Sequence, residues 1–409
     1  MDSINTLFIM LCTLLVLLMT AALAMFYSGM VRSKNALNTI MNCFIVFGVI
    51  TLQWIIVGFS LAFSGNSFNG IVGDLSNFAL SGITGYNAAG VPNILFVLFQ
   101  MMFALIASAI ITGSLVGRVK LGVLVIFLIF WSTFVYDVLA HMIWNAKGFL
   151  LARGGLDFAG GGVVHISSGV AGLVGVLMVG ARKVEKTNET IAHSIPYTFL
   201  GATLLLIGWL GFNSGSAGAV DDIAVIAFVN TILSASSGYL VWVLAEWIKH
   251  KKPSILGSLS GLVAGLVSIT PACAYVSAWH AIIIGAIGAI VCFGGLSFIK
   301  YKLKFDDTLD AFSLHGIGGI WGGLSIGFFA NAKINQAATG EGTLGEGLLI
   351  SGSWHLLLEQ IVSIIICVFL SAIVSFVIFK VISFFTDLRV NESIEEEGLD
   401  VLHREKAYQ

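Results

Sequence analysis

The chain has 409 residues, of which 57% are hydrophobic and only 10% are charged. Soluble globular proteins carry about 25% charged residues, so this composition excludes a water-soluble enzyme, a nucleic-acid-binding protein and a disordered chain. The formal net charge of −2 identifies no partner, because the placement of charges matters more than their sum. Long continuous apolar runs also differ from the weak alternating segments of a transmembrane β-barrel. We therefore expect an all-α polytopic membrane protein with bilayer-spanning helices of ~20 residues.

Eleven apolar segments follow one another along the chain. The predicted spans cover residues 4–26, 37–63, 94–115, 121–143, 160–180, 196–214, 222–247, 254–271, 277–299, 310–330 and 354–385. The first span is interpreted as a retained helix and not as a signal peptide, because Asp2 precedes it and no basic residue does. Residues 386–409 are charged, so the chain divides into a transmembrane domain, 1–385, and a tail. For that tail, a solvated segment and a docking or regulatory element remain equal alternatives.

Basic residues predict the orientation of these spans. With the N-terminus outside, 17 of the 20 basic residues lie on one side of the membrane, and only Lys147, Arg153 and Lys333 lie on the other. Lys and Arg concentrate in cytoplasmic loops. We therefore expect a multi-pass protein of the cell membrane with the N-terminus outside and the C-terminus in the cytoplasm. The same bias supports an odd number of spans.

No pattern typical of a metal site, a cofactor site or a catalytic centre is present. The five cysteines all lie inside apolar stretches, and none forms a C-x-x-C pair. Metal sites and disulfide frameworks need paired or closely spaced cysteines, so these are interpreted as buried small hydrophobic residues. We expect no metal, no cofactor and no enzymatic activity.

The two halves of the chain contain a related pattern. Asp157 is followed eight residues later by His165, and Asp307 is followed eight residues later by His315. Each histidine is followed by glycines at matching offsets, namely Gly169 and Gly172 in the first half and Gly319 and Gly322 in the second. A repeat of five spans is odd, so the second copy must be inverted, as in many transporters. The repeats cover about 4–180 and 196–330, with 354–385 as an additional helix.

The depth of the two histidines indicates a function. His165 lies five to eight residues past the outer end of its span, and His315 lies a similar distance past the inner end of its own. At 1.5 Å per residue, each is ~8–12 Å from an opposite face of a ~30 Å core. Both therefore lie near the midplane, where ionisable residues indicate function. A pore or proton-relay role is expected, and two packing residues are the alternative.

Several long motifs in the chain are similar to those of the Amt ammonium transporter family, the Amt branch of the Amt/MEP/Rh superfamily. They are D-F-A-G-G-G-V-V-H-I-S-S-G-V-A-G-L-V-G at 157–175, G-F-N-S-G-S-A-G at 211–218, K-P-S-I-L-G-S-L-S-G-L-V-A-G-L-V at 252–267 and D-D-x-x-D-x-F-x-x-H-G at 306–316. The resemblance covers essentially the whole chain. It implies ammonium transport for nitrogen uptake by a homotrimer with one pore per subunit.

The resemblance also implies roles for individual residues. It assigns an outer recruitment site to Phe103, Trp144 and Ser216, a gate to Phe103 and Phe212, a pore and proton relay to the twin histidines His165 and His315, and a structural and mechanistic acid to Asp157. Aromatic faces attract a cation such as ammonium with roughly 0.5–2 kcal/mol. A naked cation is costly in an apolar pore, so deprotonation would let neutral ammonia pass. As alternatives, the phenylalanines are core residues and Trp144 belongs to an interfacial belt.

Two departures from the family pattern stand out. The family has Pro two residues after the Tyr of the fourth span, whereas here Tyr136 is followed by Asp137 and Val138. Asp137 then either adds negative potential to the outer mouth or makes a local hydrogen bond. The tail reads Gly-Leu-Asp at 398–400 and His-Arg-Glu at 403–405, one residue shorter than the family spacing and without its Gly. This departure weakens the expectation that a PII-type signal protein docks on the cytoplasmic face.

Three functions compete at this point. The first is transport of ammonium with net movement of charge. The second is an ammonium sensor that signals through its tail, against which the lack of an appended catalytic domain argues. The third is a passive channel for ammonia gas, against which the cation-attracting residues Phe103 and Trp144 argue. In each, ammonium or ammonia and the lipid bilayer are the expected partners.

Overall fold

The computed structural model describes residues 1–183, 192–336 and 345–405. Within these ranges the regular structure is helical, and the described residues form isolated β-bridges but no β-strand. The helices are α1 Ser3–Met30, α2 Ser33–Phe63, α3 Asn93–Leu115, α4 Leu121–Ala152 with a break at 145–148, α5 Gly161–Val179, α6 Ile195–Gly215, α7 Asp222–His250, α8 Ile255–Ile269, α9 Ala278–Lys302, α10 as Phe312–Ile317 plus Gly318–Phe329, α11 His355–Ser383 and α12 Glu392–Glu397.

Each of the eleven predicted spans coincides with one of the helices α1 to α11. Nine helices in the described part of the chain are long and apolar enough to cross a membrane. The other two predicted spans differ from these nine. Helix α8 has only 15 residues, and α10 consists of a π segment followed by a short α-helix. The all-α membrane fold is confirmed. The count of eleven crossings and the orientation stay predictions, and two of the basic residues counted inside, Lys186 and Lys406, lie outside the described residues.

The helices pack closely where glycines remove side chains from their contacts. A Cβ on Gly169 of α5 would collide with the backbone of Gly316 in α10. A Cβ on Gly319 would lie 2.9 Å from the carbonyl oxygen of Gly161. These two positions follow the predicted histidines, so the expected close approach of α5 and α10 is present. Small residues allow such backbone contacts between membrane helices.

Helices α5 and α10 each begin with a π-helical segment that contains its histidine. His165 lies in Gly161–Ile166 and His315 lies in Phe312–Ile317. A π segment opens the hydrogen-bond ladder by one residue and is frequent at functional sites. In addition, α2 contains a π segment at Trp54–Gly58 and α4 contains one at Ser132–Tyr136. The π segment in α4 ends just before the α-helical stretch Asp137–Trp144, which contains Val138 where the family has its proline.

The tail folds back onto the ends of the helices. Both carboxylate oxygens of Asp400 accept hydrogen bonds from the first turn of α2, at 3.1 Å from the amide nitrogen of Leu37 and 2.9 Å from that of Asn38. The amide of Leu399 donates to the side chain of Asn35 at 2.8 Å. Lys34 donates to the carbonyl oxygen of Glu396. These contacts hold the tail against the ends of the helices, and its interpretation as a docking or regulatory element stays a prediction.

A buried ion cluster connects the loops at the same end of the molecule. The guanidinium of Arg182 binds Asp306 with both ends, at 2.7 and 2.8 Å. The fully buried Arg118 adds a third contact at 3.4 Å. Burial alone would raise the pKa of Asp306, but the hydrogen bonds and charges of Arg182 and Arg118 outweigh it and lower the pKa to about 2.

The low pKa of Asp306 predicts a loss of stability in acid. Its ionised form stabilises the fold fully above the unfolded-state pKa of about 4, and this contribution disappears as the pH falls toward 2. We expect Asp306→Asn to lower the free energy of unfolding by about 2 kcal/mol at pH 6. The difference from the native protein should shrink as the pH falls from 4 to 2. Thermal unfolding in detergent at several pH values measures both, and a difference that grows in acid would contradict the assignment.

Candidate functional site

Three aromatic side chains from different helices meet at one end of the bundle. Phe103 of α3 stacks on Phe212 of α6 with ring centroids 4.2 Å apart and an angle of 28° between the planes. Trp144, at the end of the main part of α4, meets Phe103 edge-on at 5.9 Å. Both phenylalanines are fully buried, whereas Trp144 is partly exposed. The structure therefore brings together the aromatic residues singled out in the sequence.

Ser216 lies directly after α6, one turn beyond Phe212. Its hydroxyl donates to the carbonyl oxygen of Phe212 at 2.9 Å. Because the hydrogen is used in this bond, the lone pairs of the hydroxyl oxygen are left to accept from a donor. The side chain is partly exposed, so such a donor can arrive from solvent.

Asp157 caps the first turn of α5 with both carboxylate oxygens. One oxygen accepts from the amides of Gly160 and Gly161 at 2.8 and 2.7 Å. The other accepts from Gly162 and Val163 at 2.7 and 3.3 Å. Asparagine could not preserve this cap, because its amide group replaces one of the two acceptors.

The backbone of Asp157 also holds one of the aromatic residues, Trp144. Its carbonyl oxygen accepts from the indole nitrogen of Trp144 at 2.8 Å. One residue thus ties the start of α5 to the ring of Trp144. The side chain is nine-tenths buried, so its carboxylate is held by backbone amides and is not in open contact with solvent.

His165 and His315 are in direct contact. Their Nδ1 atoms are 3.2 Å apart, and the two side chains are 1% and 4% exposed. A hydrogen bond between two Nδ1 atoms requires that one carries the proton and the other does not. In the neutral pair, one histidine therefore presents a donor at Nε2 and its partner presents an acceptor. Nε2 of His165 has no hydrogen-bond partner within the described ranges.

A narrow cavity connects the stacked phenylalanine to the histidine pair. His165 lies 6.3 Å from the ring of Phe212 and 5.4 Å from that of Trp209. The remaining lining is almost entirely apolar and includes Met19, Leu23, Phe26, Tyr27, Ile106, Ile110, Leu205, Val263 and Leu314. The pair of imidazoles is the main polar feature of this passage.

Comparison with known proteins decides the family. The model of the Ammonium Transporter Family matches residues 7–408. This chain belongs to the ammonium transporter family. It is 45% identical to the ammonium transporter of Bacillus subtilis, over 99% of this chain and 98% of that one. It is 41% identical to the ammonium transporter Amt1 of Archaeoglobus fulgidus, over 99% of each.

Solved structures of the family have the same fold. Saccharomyces cerevisiae Mep2 matches with a TM-score of 0.87 and 32% identity, over 95% of this chain and 88% of that one. A structure described as a sensor Amt protein matches with a TM-score of 0.89 and 26% identity, over 98% of both chains. The transporter family and the all-helical architecture are therefore established, and the family is one of membrane transporters and not of enzymes.

The structure decides between the two interpretations of Asp137 in this family member. Its side chain is completely buried, and one carboxylate oxygen accepts from the amide of Gln53 at 2.7 Å. The oxygen of the same amide accepts from Ser132 at 3.0 Å. The prediction of negative potential at the outer mouth is wrong, because a carboxylate within this interior contact between α2 and α4 does not face the mouth. The local hydrogen bond is confirmed.

Sequence reasoning missed the other aromatic residues of the transporter's cavity. Trp209 stacks on His165 and is held by a 2.8 Å hydrogen bond from its indole to Thr270. Its position one turn before Phe212 was the available signal. Phe26 and Tyr27 also line the cavity. Their motif F-Y-S-G matches F-N-S-G at 212–215, so the internal repeat pointed to Phe26 as the counterpart of Phe212.

Proposed function

We propose that this chain transports ammonium across the cell membrane. Ammonium is recruited as a cation at Phe103, Trp144 and Ser216, it gives up a proton, and ammonia passes the apolar cavity beside His165 and His315 with net movement of charge. The observation that carries the proposal is the contact between the Nδ1 atoms of the two histidines at 3.2 Å. The cavity around them is closed at one end by the stacked rings of Phe103 and Phe212.

Recruitment rests on the chemistry of the outer residues. Ammonium is a small cation with four hydrogen-bond donors. The faces of Phe103 and Trp144 attract a cation with roughly 0.5–2 kcal/mol each, and the oxygen of Ser216 accepts one donor. These groups need no negative side chain at the mouth. Asp157 supports this site in two ways: its carboxylate caps the first turn of α5, and its backbone carbonyl oxygen positions Trp144.

The stacked phenylalanines favour passage of a neutral molecule. At 4.2 Å the rings of Phe103 and Phe212 are in van der Waals contact, so they must part to let a molecule through. A cation beyond them would lose its hydration without receiving a cage of carbonyl oxygens. Its burial would cost several kcal/mol. Deprotonation at this point removes that cost for ammonium, whereas potassium has no proton to release.

The histidine pair supplies the relay. With one proton between the two Nδ1 atoms, the pair offers one donor and one acceptor at its Nε2 atoms. A proton added at one Nε2 can be balanced by release at the other after the shared proton has shifted. A second positive charge on imidazoles this close is disfavoured. The pair thus transfers single protons and repels a second cation.

We also propose the assembly and topology that the sequence indicated. These are eleven spans with the N-terminus outside, inverted repeats at about 4–180 and 196–330, and a homotrimer. The matched π segments support the repeat, and so do the related caps, since Asp307 accepts from the amide of Phe312 at 2.8 Å much as Asp157 accepts from the start of α5. A PII-type partner remains a proposal for the face that holds the docked tail.

An ammonium sensor is the second candidate. It is favoured by the similarity to a sensor Amt protein over 98% of both chains. A sensor needs ammonium binding but no sustained flux. Transport measurements on the purified chain therefore separate the two functions.

The decisive experiment records current from proteoliposomes that contain the purified protein. Pulses of ammonium should give a sustained inward current, and equal pulses of potassium should give none. Alkalinisation of the lumen without current would instead indicate passive ammonia conduction. A transient binding signal without flux would indicate a sensor.

Replacing Ser216 by alanine tests the recruitment site. The loss of one hydrogen bond to a cation costs about 1.5 kcal/mol, so the half-saturation concentration for ammonium should rise about 10-fold with an unchanged maximal rate. Uptake of 15N-labelled ammonium over a range of concentrations measures both values. Thr203→Val, which removes a hydroxyl bonded to the backbone at the surface of the same helix, is the matched control. An unchanged half-saturation concentration would remove Ser216 from the site.

A further inference from the structure

An open cavity of about 560 Å³ lies at the end of the molecule that also holds the ion pair of Arg182 and Asp306. The ends of α1, α7 and α9, the start of α8 and the loop before α10 surround it. Among the residues that the structure describes, none lines both this cavity and the passage beside the histidine pair. The cavity is therefore a place for a ligand of its own.

The carboxylates that line this cavity are all engaged by the protein itself. Asp306 binds Arg182, and Asp310 binds Nζ of Lys300 at 2.7 Å. Glu246 accepts from the amide and the hydroxyl of Ser254 at 2.6 and 3.0 Å. These acceptors are thus already in use within the fold.

Two lysines of the lining have no such partner. Nζ of Lys249, at the end of α7, donates to the hydroxyl of Ser297 at 3.0 Å and lies 5.0 Å from the centre of the Phe293 ring. Both partners are neutral, so they leave its charge uncompensated. Lys304, in the loop after α9, forms no ion pair in the described part of the chain. The cavity thus offers two cations to an anionic ligand.

The segments that carry these lysines are strongly basic. They read K-H-K-K at 249–252 and K-Y-K-L-K at 300–304, with six lysines and no acidic residue. The contact between Lys249 and Ser297 holds the end of α7 against α9. Groups of four to eight basic residues directly at the end of membrane helices are typical of sites for anionic phospholipids.

Apolar side chains for the rest of such a lipid lie beside the lysines. Trp247 and Ile248 on α7 and Phe298 and Tyr301 on α9 are all exposed in this chain. Aromatic residues concentrate where the bilayer meets water, with their rings at the level of the headgroups. A soluble phosphate ester could use the lysines but not this apolar surface, so the combination favours a lipid.

We propose that this cavity binds the headgroup of an anionic phospholipid, whose phosphate lies between Lys249 and Lys304. The acyl chains extend along the exposed apolar side chains at the ends of α7 and α9. In the proposed topology this end of the molecule faces the cytoplasm, where the leaflet carries anionic lipids. Such a site is independent of the transport mechanism proposed above.

Native mass spectrometry of the detergent-solubilised full-length protein tests the site. The protein is titrated with phosphatidylglycerol, with phosphatidylcholine of the same acyl chains and with soluble glycerol 3-phosphate. Phosphatidylglycerol should bind most tightly. Lys249→Gln and Lys304→Gln should each weaken its binding about 5-fold, and the double variant about 25-fold. Lys249→Arg, which keeps the charge, should retain it.

Lys120→Gln is the matched control, because Lys120 lies at the start of α4 near the tail and does not line the cavity. It should bind phosphatidylglycerol as the native protein does. Equal affinities for the two lipids, or losses in the cavity variants no larger than in this control, would overturn the proposal. Displacement of phosphatidylglycerol by an equal concentration of glycerol 3-phosphate would also overturn it, because the ligand would then be a soluble ester. Lipid binding is counted directly, so a failure of transport would not affect this result.

Discussion

Replacing His165 by Asp, or His315 by Glu, is expected either to stop ammonium conduction or to let potassium pass with ammonium. Each variant places a fixed acid beside the remaining imidazole, where the native pair shares one proton across 3.2 Å. A carboxylate there would attract a cation that the native pair repels, and it would also hold the proton that must be relayed. Currents from proteoliposomes after separate ammonium and potassium pulses measure both outcomes.

The control for this experiment is His280, a partly buried histidine away from the pair. His280 stacks on Phe329 at 4.9 Å and does not line the cavity between Phe212 and His315. His280→Gln should therefore retain native rate and selectivity. If the two pore variants also retained them, the proton relay would be refuted and the twin histidines would be packing residues.

Asp157→Ala is expected to reduce ammonium transport at least 100-fold. The substitution leaves four amides at the start of α5 without their acceptor, and it removes the negative charge next to the recruitment residues. Loss of charged hydrogen bonds should also lower the free energy of unfolding by about 3 kcal/mol. Uptake of 15N-labelled ammonium and thermal unfolding measure the two effects.

Asparagine at the same position separates charge from structure. Asp157→Asn keeps one acceptor and turns its amide hydrogens toward two backbone donors, so its stability should lie between the native protein and the alanine variant. Asp2→Ala is the control, because it removes an exposed helix cap at 2.8 Å from the amide of Asn5 without affecting α5. Native transport by Asp157→Ala would show that the carboxylate is dispensable.

The positions of the helices could be predicted because each one is a continuous apolar run. Helix α3, for example, was expected at 94–115 and extends over Asn93–Leu115. Burial of the backbone in lipid permits no other regular structure for a single segment. The contact between α5 and α10 was also accessible, since the spacing of histidines and glycines repeats in both halves.

Other features depend on packing that a single sequence does not reveal. The π segments have no characteristic amino-acid composition, and the one at Ser132–Tyr136 lies where no proline marks an irregularity in the sequence. The sequence left two interpretations open for Asp137, because its partner, Gln53, lies 84 residues away. Phe103 and Phe212 are two of 30 phenylalanines, and only the family motifs distinguished them before the structure showed them stacked.

The π segments at Gly161–Ile166 and Phe312–Ile317 make the length of these two spans as important as their composition. Deleting one residue from either segment would let the ladder close into an ordinary α-helix. The flanking parts of the helix would keep their orientation, because a π turn holds one residue more than an α-helical turn, and only the residues inside the segment would change position. Such a shortened span would remain apolar and long enough to insert, but its imidazole would lose the placement that brings it against its partner in the passage. Single-residue insertions and deletions here are thus a route by which a relative could keep the fold and lose the flux.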